Sequence, residues 1–145
     1  MLINSESEVD PMAPTTVNPG TGITGIGQIS VNIYDLERAT AFYRDALGLP
    51  LLFQAGNMSF FDCGGVRLML TKAERPEFDH PGSILYLKVP DIQAAHLKLQ
   101  EYGAHFESQP AMIARMPTHD LWIAAFRDTE KNYLSLMSEV PRADC

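Results

Sequence analysis

His119-Asp120 is the pair in this 145-residue chain whose side chains most directly suggest proton chemistry. An imidazole beside a carboxylate can be tuned into a general base. Neighbours on a strand point to opposite faces, however, so these two do not readily form a dyad with each other. The preceding Arg115-Met116-Pro117-Thr118 reads as a loop, where a histidine is more often a structural hydrogen-bonder than a base. His80 lies in a linker between Pro76 and Gly82, His96 on the edge or far side of a helix, and His105 at the start of a strand. The surface reading is favoured for all three, because none has a partner at metal-ligand spacing. Cys63 precedes Gly64 at a strand end with no base nearby, so a nucleophile role is unsupported, and with Cys145 it makes no disulfide framework. Gly20-Thr21-Gly22-Ile23-Thr24-Gly25 matches G-x-G-x-x-G, but a dinucleotide loop must follow a strand and open a helix. Alternating strand residues come after it, so it reads as a glycine linker.

The elements that would position these groups come from periodicity. Gln28-Ile29-Ser30-Val31-Asn32-Ile33 alternates polar and apolar residues, as a strand with one packed face does. Asp35 supplies a helix cap, Leu36, Ala39, Phe42, Tyr43, Ala46 and Leu47 recur at helical spacing, and Gly48 ends the run. Strand patterns follow at 58–62 and 66–71, with a shorter one at 51–53. The order β-α-β-β-β then recurs: a strand at 84–89, a helix capped by Asp91 and ended by Gly103, and strand patterns at 121–126 and 133–137, with a weaker one at 106–108. The two caps lie 91 − 35 = 56 residues apart, but the final strands are offset by 134 − 68 = 66. An insertion of about 10 residues follows from that difference, and the Met112 to His119 segment is its expected place.

Composition limits the partners. The formal charge is 11 − 18 = −7, with 46% apolar and 20% charged residues. An acidic chain without a basic cluster is a poor nucleic-acid binder. No apolar run approaches the ~20 residues that span a bilayer, so no membrane association is expected. The first cation is Arg38, which argues against an export or transit signal and for a cytoplasmic protein with reduced thiols. Residues 1–25 carry Glu6, Glu8 and Asp10 among Pro, Gly, Ser and Thr, and read as a disordered or loosely attached tail. The remainder divides into units 26–75 and 76–140, which must pack together because each is too small to bury its apolar face alone.

Gln28-Ile29-Ser30-Val31-Asn32-Ile33-Tyr34-Asp35-Leu36 followed by Ala41-Phe42-Tyr43-Arg44-Asp45-Ala46-Leu47-Gly48-Leu49 resembles the opening of the vicinal oxygen chelate superfamily. That superfamily includes glyoxalase I, extradiol dioxygenases, and fosfomycin- and bleomycin-resistance proteins. Phe126-Arg127-Asp128-Thr129-Glu130-Lys131-Asn132 is similar to its F-x-D-P-D-G-N turn, with Thr129 for Pro and Lys131 for Gly. The resemblance implies an α+β fold: two βαβββ modules in tandem, forming one open, cup-shaped mixed β-barrel with helices outside. It also implies a homodimer. In metal-dependent members four side chains enter the cup, usually His or Gln, then Glu, His and Glu. The matching positions here are Gln28, Met69, Ile84 and Ser135, a set too poor in anionic donors for a divalent ion. No metal and no other cofactor is therefore expected.

Strand alternation assigns the faces. If Gln28 points into the cup, so do Ser30, Asn32, Arg67, Met69, Thr71, Ile84, Tyr86, Lys88, Tyr133, Ser135 and Met137. The opposite register would press polar side chains against helices without partners. The expected ligand contacts are Gln28, Ser30, Arg67, Met69, Ile84, Tyr86, Trp122, Tyr133 and Ser135. Three functions fit this lining. One is a metal-free cup that binds a small organic molecule. The second is an isomerase, lyase or dioxygenase-like enzyme without the usual metal ligands, with His119 as base and Gln28, Ser135 and Arg67 steadying an oxyanion. The third is an interaction module with an empty cup.

Overall fold

A computed structural model describes residues 20–73, 76 and 82–142; the acidic positions 6–10, His80 and Cys145 lie outside them. The expected alternation forms β1 (Gln28–Asn32), and Asp35 caps α1 (Leu36–Ala41) by accepting from the Arg38 N–H at 3.0 Å. After Ala41 the helix widens into one π-type turn, Phe42–Ala46, before Gly48 reverses the chain at φ 73°. Cap to glycine covers 48 − 35 = 13 steps here and 103 − 91 = 12 in the second helix. The π turn absorbs the extra residue without breaking the apolar stripe. Then come β2 (Leu51–Ala55), β3 (Met58–Cys63) and β4 (Val66–Thr71). The second half runs β5 (Leu85–Lys88), α2 (Ile92–Glu101), β6 (His105–Phe106), β7 (Ala111–Arg115), β8 (His119–Arg127) and β9 (Tyr133–Pro141).

Each half builds one mixed sheet, and neither closes on itself. The first has strand order β1-β4-β3-β2, with β1 parallel to β4. The second has order β5-β9-β8-β6, with β5 parallel to β9 and with β7 also paired to β8. The pairs Ile29↔Leu68 and Leu85↔Leu134 are repeat equivalents. The insertion is not a loop. Residues 111–115 pair with 120–123, so the second half carries one strand more than β-α-β-β-β, and His119 is the first residue of the nine-residue β8. The run Ala-Met-Ile-Ala-Arg lacks clean alternation, which hid the strand.

The helix-facing sides of both sheets contribute to one core. Ile33, Tyr43, Phe61 and Leu68 from the first half join Leu99, Phe126, Leu134 and Leu136 from the second. The 128–132 turn seals this junction with buried polar groups. Tyr43 donates its hydroxyl to Asp128 at 2.7 Å. Glu130 accepts from the N–H groups of Tyr34 (2.8 Å) and Asp35 (2.9 Å) and from Arg38 Nε (2.8 Å). Asn132 donates to the Asn32 carbonyl at 2.9 Å. Burial raises the Tyr43 pKa well above its ordinary value, with the Asp128 charge adding to it, so the phenol stays a donor. At Glu130, burial opposes ionisation, but the Arg38 guanidinium, the two N–H groups and the Thr129 hydroxyl outweigh it and bring the carboxyl down to about 2. No helix among the described residues is long and apolar enough to cross a membrane.

Candidate ligand-binding faces

The sheet sides turned away from the helices carry most of the expected ligand contacts. On the first sheet, the pairs Gln28↔Arg67 and Ser30↔Met69 put those four side chains on one face. Arg67 Nε donates to Gln28 Oε1 at 2.8 Å, and Gln28 Nε2 lies 3.8 Å from Met69 Sδ. The Arg67 guanidinium sits 5.4 Å from the centre of the Phe60 ring. Phe60 in turn stacks on Phe53, with centroids 4.4 Å apart and planes at 19°. Phe53 is 46% exposed, which leaves a flat aromatic surface beside an arginine fork and an amide.

On the second sheet, Tyr86 pairs with Ser135, and Ser135 with Ala125. Tyr86 and Tyr133 stand out, while Ser135 is buried between them and donates its hydroxyl to the Leu136 carbonyl at 3.0 Å. The Arg127 guanidinium lies over the Tyr133 ring at 4.0 Å and donates to its hydroxyl. Ser30, Ile84 and Tyr133 come together in a groove of about 770 Å³ along the β1 and β5 edges.

Two expectations need correction. Trp122 shares a face with Ala124 and Phe126 and packs against the core, on the side opposite Tyr86 and Tyr133. It sits at an even position of β8, and the residues facing the ligand side are the odd ones. His96 is buried rather than at the surface, with its ring edge on Phe106 at 4.3 Å and Nε2 without a hydrogen-bond partner.

His119 does lie on the ligand-side face, but its carboxylate neighbour is Glu139 and not Asp120. His119 Nε2 is 3.9 Å from Glu139 Oε2, and Nδ1 is 3.2 Å from Thr118 Oγ1. Glu139 Oε1 is 3.7 Å from Lys88 Nζ, whereas Oε2 is buried without a hydrogen-bond partner. Asp120 turns the other way, toward Arg115. Glu139, Arg127, Phe53 and Phe60 were not singled out in the sequence. Extending β9 two residues past Met137 would have put Glu139 on the face of Ser135 and Met137.

The metal positions of the resembled family do not suit a metal here. Gln28 Oε1 already accepts from Arg67, whose charge would repel a cation. Met69, Ile84 and Ser135 supply a thioether, an alkyl group and a hydroxyl already used within its own strand. Among the described residues no three His, Cys, Asp or Glu side chains converge.

This architecture has many relatives. The protein is 23% identical to a member of the glyoxalase/bleomycin resistance protein/dioxygenase superfamily from Sphaerobacter thermophilus DSM 20745, with TM-score 0.68 over 81% of this chain and 98% of that one. TnmS3, an antibiotic binding protein from Streptomyces sp. CB03234, is 26% identical, with TM-score 0.63 over 81% and 97% of the two chains. The uncharacterized protein YraH of Bacillus subtilis (strain 168) is 26% identical over 75% of this chain and 94% of its own. The model of one family matches residues 25–136, which run from just before β1 into β9 and include both capped helices. Repeat, sheet order, turn and family match agree: the chain belongs to the Glyoxalase/Bleomycin resistance protein/Dioxygenase superfamily.

Proposed function

We propose that this protein binds a small organic molecule, without a metal, on the sheet faces that carry Gln28, Arg67, Tyr86 and Tyr133. The observation that carries this reading is the Arg67 array. A guanidinium held by Gln28 lies beside the stacked Phe53–Phe60 pair on an open sheet. Such a surface suits a planar ring bearing acceptor oxygens, stacked on the aromatics and bonded by the arginine. The antibiotic-binding relative, which shares the fold at 26% identity, supports a binding role. Leu52 and Phe53 on the first sheet and Tyr86 and Tyr133 on the second are exposed, and we propose that a second copy of the chain covers some of these groups in a homodimer.

The test is a thermal-shift and calorimetric screen of the full chain against planar aromatic antibiotics and polycyclic phenols. A hit should lose at least tenfold in affinity in Arg67→Ala, by the loss of one charge-assisted contact. Failure of the whole panel, or an unchanged affinity in Arg67→Ala, overturns the reading.

The His119–Glu139 contact favours a second reading, an isomerase- or lyase-type enzyme with His119 as its base. Turnover of a bound compound that persists undiminished in His119→Ala removes that role.

A further inference from the structure

The two halves are repeats, but they are packed unequally, and the inequality leaves a hollow. With Asp35 matched to Asp91, Phe42 and Tyr43 correspond to Lys98 and Leu99. With Phe61↔Leu68 matched to Phe126↔Leu134, Asp128 corresponds to Cys63. In the first half, Phe42 and Tyr43 are buried and the Tyr43 hydroxyl bonds Asp128, so the space between α1 and the 128–132 turn is filled. In the second half the same space lies between α2, the free edge of β5 and the short Gly64-Gly65 turn. One ring has become an exposed lysine, the other a leucine, and the aspartate a thiol. A cavity of about 580 Å³ remains, lined by Cys63, Leu99 and Lys98 together with Leu47, Val89 and Lys88.

Its chemistry is one-sided. The walls are mostly aliphatic, with Tyr86 as the one aromatic ring; both charged lining residues are lysines, and no carboxylate lines it. Lys88 also approaches Glu139 at 3.7 Å, whereas Lys98 stands on the helix face where the other half buries Phe42. Burial, with the Asp62 charge adding to it, raises the Cys63 thiol above its ordinary value and keeps it neutral, a wall group rather than a nucleophile.

We propose that this hollow, whose lining meets the sheet faces only at Tyr86 and Lys88 on the free β5 edge, is a second binding site for an aromatic carboxylate whose ring takes the place of the missing Phe–Tyr pair and whose charge meets Lys98. The site does not depend on the Arg67 reading. Cys63 lies on the helix side of β3 with Phe61, while Arg67 lies on the opposite face of the neighbouring β4. A molecule on the Arg67 face therefore leaves the thiol uncovered.

The test follows that thiol in a Cys145→Ser background, with 1-naphthoate as the ligand and iodoacetamide as the probe. At alkaline pH, where the raised thiol ionises, Cys63 should alkylate measurably without ligand, and saturating naphthoate should slow it at least fivefold. Leu99→Phe, which refills the cavity as the first half does, should abolish the protection. Lys98→Met should weaken naphthoate at least fivefold while leaving the neutral analogue 1-naphthalenemethanol unchanged. A Cys63 that is inert without ligand, or that reacts equally fast with it, overturns the proposal. So does protection that survives in Leu99→Phe. If Leu99→Phe does not fold, as judged by circular dichroism, the Lys98→Met comparison decides alone: equal losses for the charged and the neutral compound overturn the assignment.

Discussion

Lys131 holds a left-handed backbone at φ 71°, the one non-glycine residue among those described to do so. The similar family turn has glycine there, and a side chain in this conformation is strained. Lys131→Gly is therefore expected to raise stability by up to about 1 kcal/mol, read as a higher urea midpoint at unchanged slope. The neighbouring Glu130 sets an acid limit. Its carboxyl titrates at about 2 in the fold against an ordinary 4.5. A depressed pKa contributes stability that is complete above 4.5 and is lost as pH falls toward 2. The share at stake is on the order of 2–3 kcal/mol, discounted because Arg38 is half exposed. Chemical denaturation of wild type and Glu130→Gln between pH 6 and pH 3 should show the difference between them shrinking as the solution is acidified. The turn itself was legible, because its acids and asparagine have fixed spacing. The partners of its acids were not, since Tyr34, Arg38 and Tyr43 lie 85 to 96 residues away.

At the scale of elements, alternation and capping were enough where one face is apolar and the other polar. β1, β4, β5 and both helix caps follow that rule. The Asp91 cap accepts the Ala94 N–H at 3.1 Å, so Asp91→Ala should cost about 1 kcal/mol in a denaturation midpoint, with the fold otherwise kept. The reading failed in the inserted segment, where β7 and the first residues of β8 are apolar or mixed on both faces. Local pattern there puts His119 in a loop and Trp122 on the ligand side, whereas the fold puts His119 in β8 and Trp122 against the core. β8 also accepts β6 and β7 along one edge, a crowding that local patterns do not encode. For the candidate site, face was readable from alternation, but contact was not. The Arg67–Gln28–Met69 cluster depends on a parallel register between strands 39 residues apart, and the Phe53–Phe60 stack on a bulged hairpin.

For the molecule as a whole, the exposed aromatic faces argue for pairing. Light scattering on the purified chain should give twice the 16.1 kDa subunit mass, and a monomer at micromolar concentration would remove the proposed dimer. The clasp between α1 and the 128–132 turn has a further consequence, in the timing of folding. The N–H groups of Tyr34 and Asp35 and the Tyr43 hydroxyl acquire their carboxylate partners only when residues 128–130 are present. A chain emerging from the ribosome thus carries a finished first sheet whose helix entrance stays unsatisfied through 128 − 71 = 57 further residues of synthesis. Closing that contact is a late, long-range event that slows folding and makes it all-or-none. Chains truncated before Asp128 should accordingly be protease-sensitive along their entire first half, although every strand of that half is already made.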